Sequence, residues 1–104
     1  MKISIIGAGN MGGAIAIGLG LSKNVAIQSL TVIDHRGKNV PRLKAACEGL
    51  NVVVDDYSSL VSANVVILAV KPWMIEEVLK QHKTLLNPKQ LIVSVAAVIS
   101  LAQL

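Results

Sequence analysis

Three glycines stand at fixed spacing where an apolar run passes into a helical one: Ile3-Ser4-Ile5-Ile6, then Gly7-Ala8-Gly9-Asn10-Met11-Gly12, then Gly13-Ala14-Ile15-Ala16-Ile17-Gly18-Leu19. Each glycine suits a different step in holding a pyrophosphate. Gly7 permits a tight turn off a strand, Gly9 lets the main chain approach the phosphates, and Gly12 lets the helix pack on the strand. Unpaired N–H groups at the helix start then face the anion. The pattern predicts a dinucleotide site with Ile6, Gly7, Ala8, Gly9, Asn10, Met11 and Gly12 around the pyrophosphate.

A second cluster lies after the next apolar run, at Asp34-His35-Arg36-Gly37-Lys38. Asp34 follows Gly12 by 22 residues, near the spacing at which a carboxylate accepts from the adenosine ribose of NAD. Arg36 and Lys38 argue for NADP(H), because a guanidinium or an ammonium can pair with a ribose 2′-phosphate. That pairing requires the Asp34 carboxylate to turn aside or to pair with Arg36. The balance favours NADP(H) over NAD(H), against the simpler reading of Arg36 and Lys38 as a solvated turn. His35 is placed near the adenine, and His82 reads as an exposed helix residue. No histidine, cysteine or carboxylate spacing suggests a metal site, and no general acid stands out.

These residues need a scaffold, and the chain supplies one. Leu30–Ile33, Val52–Val54, Val65–Val70 and Leu91–Val95 are short runs rich in valine and isoleucine, like strands covered on both faces. With the first run they predict five parallel strands alternating with helices, a doubly wound α/β sheet. Helices are expected at 10–21, at 39–48 with Pro41 in the first turn and Gly49 as a stop, at 58–61, and from Pro72 with Met74, Ile75, Val78 and Leu79 on one face. In such sheets ligands sit beyond the carboxyl ends of the strands. Ala69-Val70-Lys71-Pro72 and Val95-Ala96-Ala97 are therefore predicted beside Asp34 and the glycine turn. Lys71 faces the cleft or is a surface lysine; Trp73 caps the cleft or packs at a helix start.

Length and composition narrow the classes. The 104 residues fit one domain, 53% hydrophobic and 15% charged, with Tyr57 and Trp73 the only aromatics. No apolar run is long enough to span a bilayer, and no basic stretch precedes an apolar one at the N-terminus, so a cytoplasmic location is expected. The net charge of +4 is concentrated in the run Arg36, Lys38, Arg42 and Lys44, without interleaved aromatics, which argues against a nucleic-acid face. Cys47 is the sole cysteine and reads as a partly buried helix residue.

The turn Gly-Ala-Gly-Asn-Met-Gly, the run Ile67-Leu-Ala-Val-Lys-Pro72 and Ser94-Val-Ala-Ala97 together resemble the pyrroline-5-carboxylate reductase family. The resemblance implies an N-terminal NAD(P)H-binding domain of a reductase that transfers hydride to the C=N bond of 1-pyrroline-5-carboxylate. By matching motif, Ile6 to Met11 hold the pyrophosphate and Asp34 to Arg36 meet the adenosine ribose. Asp56 lies near the adenosine end, Ala69 to Pro72 meet the nicotinamide, and Val95 to Ala97 complete the cleft. Two departures stand out. Val98 replaces the glycine that usually follows Ser-x-Ala-Ala, and the helical domain that supplies the family's dimer interface and most of its substrate site has no counterpart before Leu104. The 104 residues are thus expected to bind the dinucleotide, to lack turnover alone, and to associate into homo-oligomers through apolar side chains near Val98, Ile99, Leu101 and Leu104. A stand-alone NAD(H)-sensing module and another NADP-dependent oxidoreductase are the alternatives.

Overall fold

The structure is a computed structural model that describes residues 1–22, 27–47 and 49–95. Its elements run β1 (Lys2–Ile6), α1 (Asn10–Leu21), β2 (Ser29–Asp34), α2 (Val40–Ala46), β3 (Asn51–Val54), β4 (Val65–Leu68), α3 (Ile75–Gln81) and β5 (Leu91–Ser94), with short 3₁₀ turns at Ser58–Leu60, Pro72–Met74 and Lys83–Leu85. All five strands are parallel, in the order β3-β2-β1-β4-β5. β1 is central. Ile6 pairs with Ile33 on one side and Leu68 on the other, so three strand ends open onto the same edge.

The β-branched runs extend because they pack well on a pleated, buried surface. On one face, α1 and α2 cover Ile3, Ile5, Val32 and Val52 with Ala16 and Leu43. On the other, Leu60 and Ala63, backed by Ile75, Val78 and Leu79 of α3, cover Ile6, Ile33, Val66 and Leu68. Sandwiching between helical layers holds for β1, β2 and β4. It does not hold for β5, where Leu91, Ile92 and Val93 are 61%, 40% and 37% exposed. There the apolar run marks an edge strand.

Several element ends differ from the sequence expectation by a few residues, and two of the differences have a clear local cause. α2 spans Val40–Ala46 rather than 39–48, because Asn39 stands just before its first turn and Cys47, half-buried, is already extended at φ −145°. β4 stops at Leu68 because the chain bends at Val70 ahead of Pro72, with Lys71 at φ −62° and ψ 146°, the extended conformation that a following proline imposes. Ala96, Ala97, Val98, Ile99, Leu101 and Leu104, singled out in the sequence, lie outside the described residues. Among the described residues, no helix is long and apolar enough to cross a membrane.

Candidate functional site

The order β3-β2-β1-β4-β5 reverses direction between β1 and β4, which is where an open α/β sheet leaves its ligand crevice. The glycine turn fills that position. Gly7 has φ +109°, its N–H donates to the Ile33 carbonyl at 3.0 Å, and a Cβ there would stand 2.6 Å from the Ala69 carbonyl oxygen. At Gly12, an added Cβ would overlap the Gly7 carbonyl oxygen and press on Ala69 Cβ. Ala69 also donates its N–H to the Ile6 carbonyl at 2.9 Å. The turn and the end of β4 are therefore locked together.

Gly9 differs from its neighbours. It sits at φ −69° and ψ −162°, and an added Cβ would meet nothing within 4 Å. No fold requirement explains a glycine there. The main-chain N–H groups of Gly9, Asn10, Met11 and Gly12 find no acceptor among the described residues, as the first turn of a helix requires. Neither a side-chain cap nor an acidic residue occupies that turn. Ile6 and Ala8 are buried beneath it, and Asn10 and Met11 are exposed.

At the end of β2, Asp34 is only 6% exposed, and its Oδ2 accepts the Asn39 N–H at 2.9 Å. The carboxylate thus organises the turn that precedes α2. Arg36 and Lys38 are exposed on that turn and form no hydrogen bond or ion pair among the described residues. A residue that sequence reasoning placed only in a basic run joins them: Arg42 of α2 donates from Nη2 to the Ala8 carbonyl and to Asn39 Oδ1, both at 3.2 Å. One of its two acceptors is a carbonyl 34 residues away, so no local pattern could have revealed that bond.

A cleft of about 490 Å³ opens beside the turn, lined among others by Ile6, Gly7, Ile33, His35, Asp55, Tyr57, Val70, Val78 and His82. His35 Nδ1 lies 3.1 Å from Asp55 Oδ1. Asp55 adopts φ +49°, a conformation that aspartate tolerates better than most residues. Tyr57 stacks on His82 with ring centroids 3.8 Å apart and planes 19° from parallel. His82 is therefore a half-buried wall residue and not an exposed helix residue. Burial, then the negative charge of Asp55 and its hydrogen bond, push the Tyr57 hydroxyl above its ordinary value. Asp56 does not line this cleft; its Oδ1 accepts the Ser58 N–H at 3.0 Å. Bonds from the Ser58 main chain and hydroxyl hold the Asp56 carboxyl below its usual value.

The other rim is formed by Ala69 and Val70, half-buried, with Lys71 and Pro72 exposed. Trp73 is 76% exposed, so it does not pack at the helix start as the simpler reading had it. Val95 donates its N–H to the Leu68 carbonyl at 3.2 Å, which keeps it beside the end of β4. Next to it, the Ser94 hydroxyl is buried without a hydrogen-bond partner among the described residues. A somewhat larger hollow, about 530 Å³, lies at the opposite ends of β2 and β3 around Ser29, Thr31 and Asn51, with no charged lining residue among the described residues. Its remoteness from the glycine turn and its plain lining make it the weaker candidate. Among the described residues, no three His, Cys, Asp or Glu side chains stand together as a metal group.

Comparison with known proteins agrees with this arrangement. The chain is 34% identical over 104 residues to pyrroline-5-carboxylate reductase 3 of Danio rerio, matching all of this chain and 35% of that protein. It is 36% identical to pyrroline-5-carboxylate reductase of Pseudomonas aeruginosa, over 99% of this chain and 37% of that one. The chain therefore spans about a third of the length of these relatives. Among solved structures, Synechocystis arogenate dehydrogenase superposes with a TM-score of 0.71 at 19% identity, over 90% of this chain and 32% of that one, a likeness of fold. Residues 2–98 match the family described as NADP oxidoreductase, coenzyme F420-dependent. A glycine turn at the switch point of an all-parallel sheet, matched over nearly its whole length, makes this chain a nicotinamide-dinucleotide-binding member of that oxidoreductase family.

Proposed function

We propose that these residues form the NADP(H)-binding part of a reductase acting on the C=N bond of 1-pyrroline-5-carboxylate. Gly9 carries the reading. Gly7 and Gly12 are explained by contacts inside the fold, whereas Gly9 borders open space, and a pyrophosphate laid along the unpaired N–H groups accounts for it. The rest of the placement follows from there: the adenosine ribose at Asp34, His35 and Arg36, the adenine toward His35 and Tyr57, and the nicotinamide along Ala69, Val70, Lys71, Pro72 and Val95. Asp56 serves the adenosine end indirectly, by holding the turn that carries Asp55 and Tyr57.

The preference for NADP(H) rests on Asp34 and its neighbours. With its carboxylate drawn inward by Asn39, repulsion of a 2′-phosphate is relieved, while Arg36 and Lys38 keep exposed cations on the same turn. The bound nicotinamide supplies the hydride. The chain's residues hold the dinucleotide in place, and orientation of the imine is assigned to residues outside this span, in keeping with the greater length of the relatives. Positioning of two reactants is worth about 7–11 kcal/mol of a barrier, so the 104-residue chain should bind NADPH without reducing pyrroline-5-carboxylate. Robust turnover would overturn that division of labour.

Calorimetric titration tests the cofactor assignment. NADPH should bind more tightly than NADH at low salt, and Arg36→Ala should erase the difference, about 1.5–3 kcal/mol for a charge-assisted contact. A preference for NADH would return the site to Asp34 and NAD. Gly9→Val should fold normally and lose both dinucleotides, and unchanged affinity would make the turn purely structural.

A further inference from the structure

Glycine at position 9 leaves the ligand its space, and it also leaves the preceding peptide unit loosely determined. Rotation about ψ of Ala8 and φ of Gly9 could turn that unit over, since glycine imposes little restriction on φ. A turned peptide would present the Ala8 carbonyl oxygen, instead of the Gly9 N–H, to an approaching anion. In a planar trans peptide the two groups point in opposite directions, so whatever holds the carbonyl also aims the N–H. Arg42 holds it: Nη2 donates to the Ala8 carbonyl at 3.2 Å, and the Gly9 N–H has no acceptor among the described residues.

The same guanidinium is itself anchored. Asn39 Oδ1 accepts from Nη2 at 3.2 Å, and the Asn39 N–H donates to Asp34 Oδ2 at 2.9 Å. A continuous set of hydrogen bonds thus joins the end of β2 to the glycine turn. Gly13 leaves room for the guanidinium, since a Cβ there would lie 3.3 Å from Nη2. The charge sits on the carbonyl side of the Ala8–Gly9 peptide.

We infer that Arg42 is a positioning residue for the pyrophosphate seat, fixing the Ala8–Gly9 peptide so that the Gly9 N–H faces the ligand. The inference rests on the dinucleotide reading above. It assigns Arg42 an effect on every ligand that carries the pyrophosphate, in contrast to Arg36, whose effect is confined to the 2′-phosphate.

Four probes separate these roles in calorimetry: NADPH, NADH, ADP-ribose and adenosine 2′-monophosphate, which has no pyrophosphate. Arg42 is exposed, so R42M should still fold and melt in one cooperative transition, a few degrees below the wild type at most. It should weaken the first three ligands by a common factor of about ten, the size of one hydrogen bond to a fixed acceptor, and leave adenosine 2′-monophosphate unchanged. R42K, which restores a donor, should recover most of the loss. Weakening of NADPH alone would overturn the inference and make Arg42 a 2′-phosphate ligand. Equal weakening of all four, or of none, would overturn it as well. Failure of the wild-type chain to bind any dinucleotide would remove the reading beneath it, a result distinct from an R42M variant that binds as the wild type does.

Discussion

The two sides of the central strand are finished in different ways. Toward β2 and β3, the carboxyl ends are tied by hydrogen bonds among Asp34, Asn39, Arg42 and Ala8, and the covering helices leave Val32 and Leu43 fully buried. Toward β4 and β5, the sheet runs out into an edge strand whose leucine, isoleucine and valine face solvent, and the rim residues Lys71, Pro72 and Trp73 are exposed. The half proposed for the adenosine and pyrophosphate is braced from within. By contrast, the half proposed for the nicotinamide is braced where Ala69 meets the glycine turn and where Val95 bonds to Leu68. On the placement proposed above, specificity for the carrier would lie on the tightly packed side, and the side nearer the reacting ring would have surface to spare for other contacts.

Replacing Gly12 should separate the halves most sharply. A valine there collides with the Gly7 carbonyl, main-chain atoms that cannot step aside, so Gly12→Val should cost more than about 3 kcal/mol in urea unfolding. Gly9→Val, three residues earlier, should unfold at nearly the wild-type midpoint. If both variants were equally stable, the turn would not be locked against β4.

An isoleucine pair gives the next largest effect. Ile5 in β1 is fully buried and Ile92 in β5 is largely not. Ile5→Ala should destabilise the chain by about 2–5 kcal/mol, and Ile92→Ala by less than about 1 kcal/mol. Comparable losses in denaturant titration would mean that β5 is covered in solution, as the expected homo-oligomer would do. Light scattering on the same samples distinguishes that outcome.

The smallest effect lies at the seam, where Tyr57 meets His82. As the chain's only tyrosine, Tyr57 can be titrated by absorbance, and the midpoint of its ionisation should lie above the ordinary value of 10.0. Asp55→Asn should lower it only in part, because burial is the larger cause. With the folded-state value raised, the contribution to stability is present below pH 10 and fades as pH climbs through the folded value. Ionisation at the ordinary value would mean that the ring is not enclosed there.

Much of this was legible in the sequence, for physical reasons that can be named. The bounds of α1 follow from the glycine turn at one end and the loss of apolar periodicity at the other, and five valine- and isoleucine-rich runs became five parallel strands. Those carboxyl-end residues that the structure describes came together because parallel topology gathers strand ends. What stayed hidden depended on tertiary direction. Arg42 bonds to a main-chain carbonyl that no pattern marks, His82 turns onto Tyr57 rather than to solvent, and Asp56 turns to Ser58 while Asp55 and Tyr57 face the cleft. The exposure of β5 escaped notice because an apolar run looks alike in the middle of a sheet and at its margin.

Trp73 gives the rim an optical property. It is the only indole in the chain, it stands out into water, and it directly follows the Lys71-Pro72 wall. Indole emission overlaps the absorption band of a reduced nicotinamide and not that of an oxidised one. The chain therefore carries a built-in donor for energy transfer, whose brightness would follow the redox state of a dinucleotide bound at that rim without any attached dye.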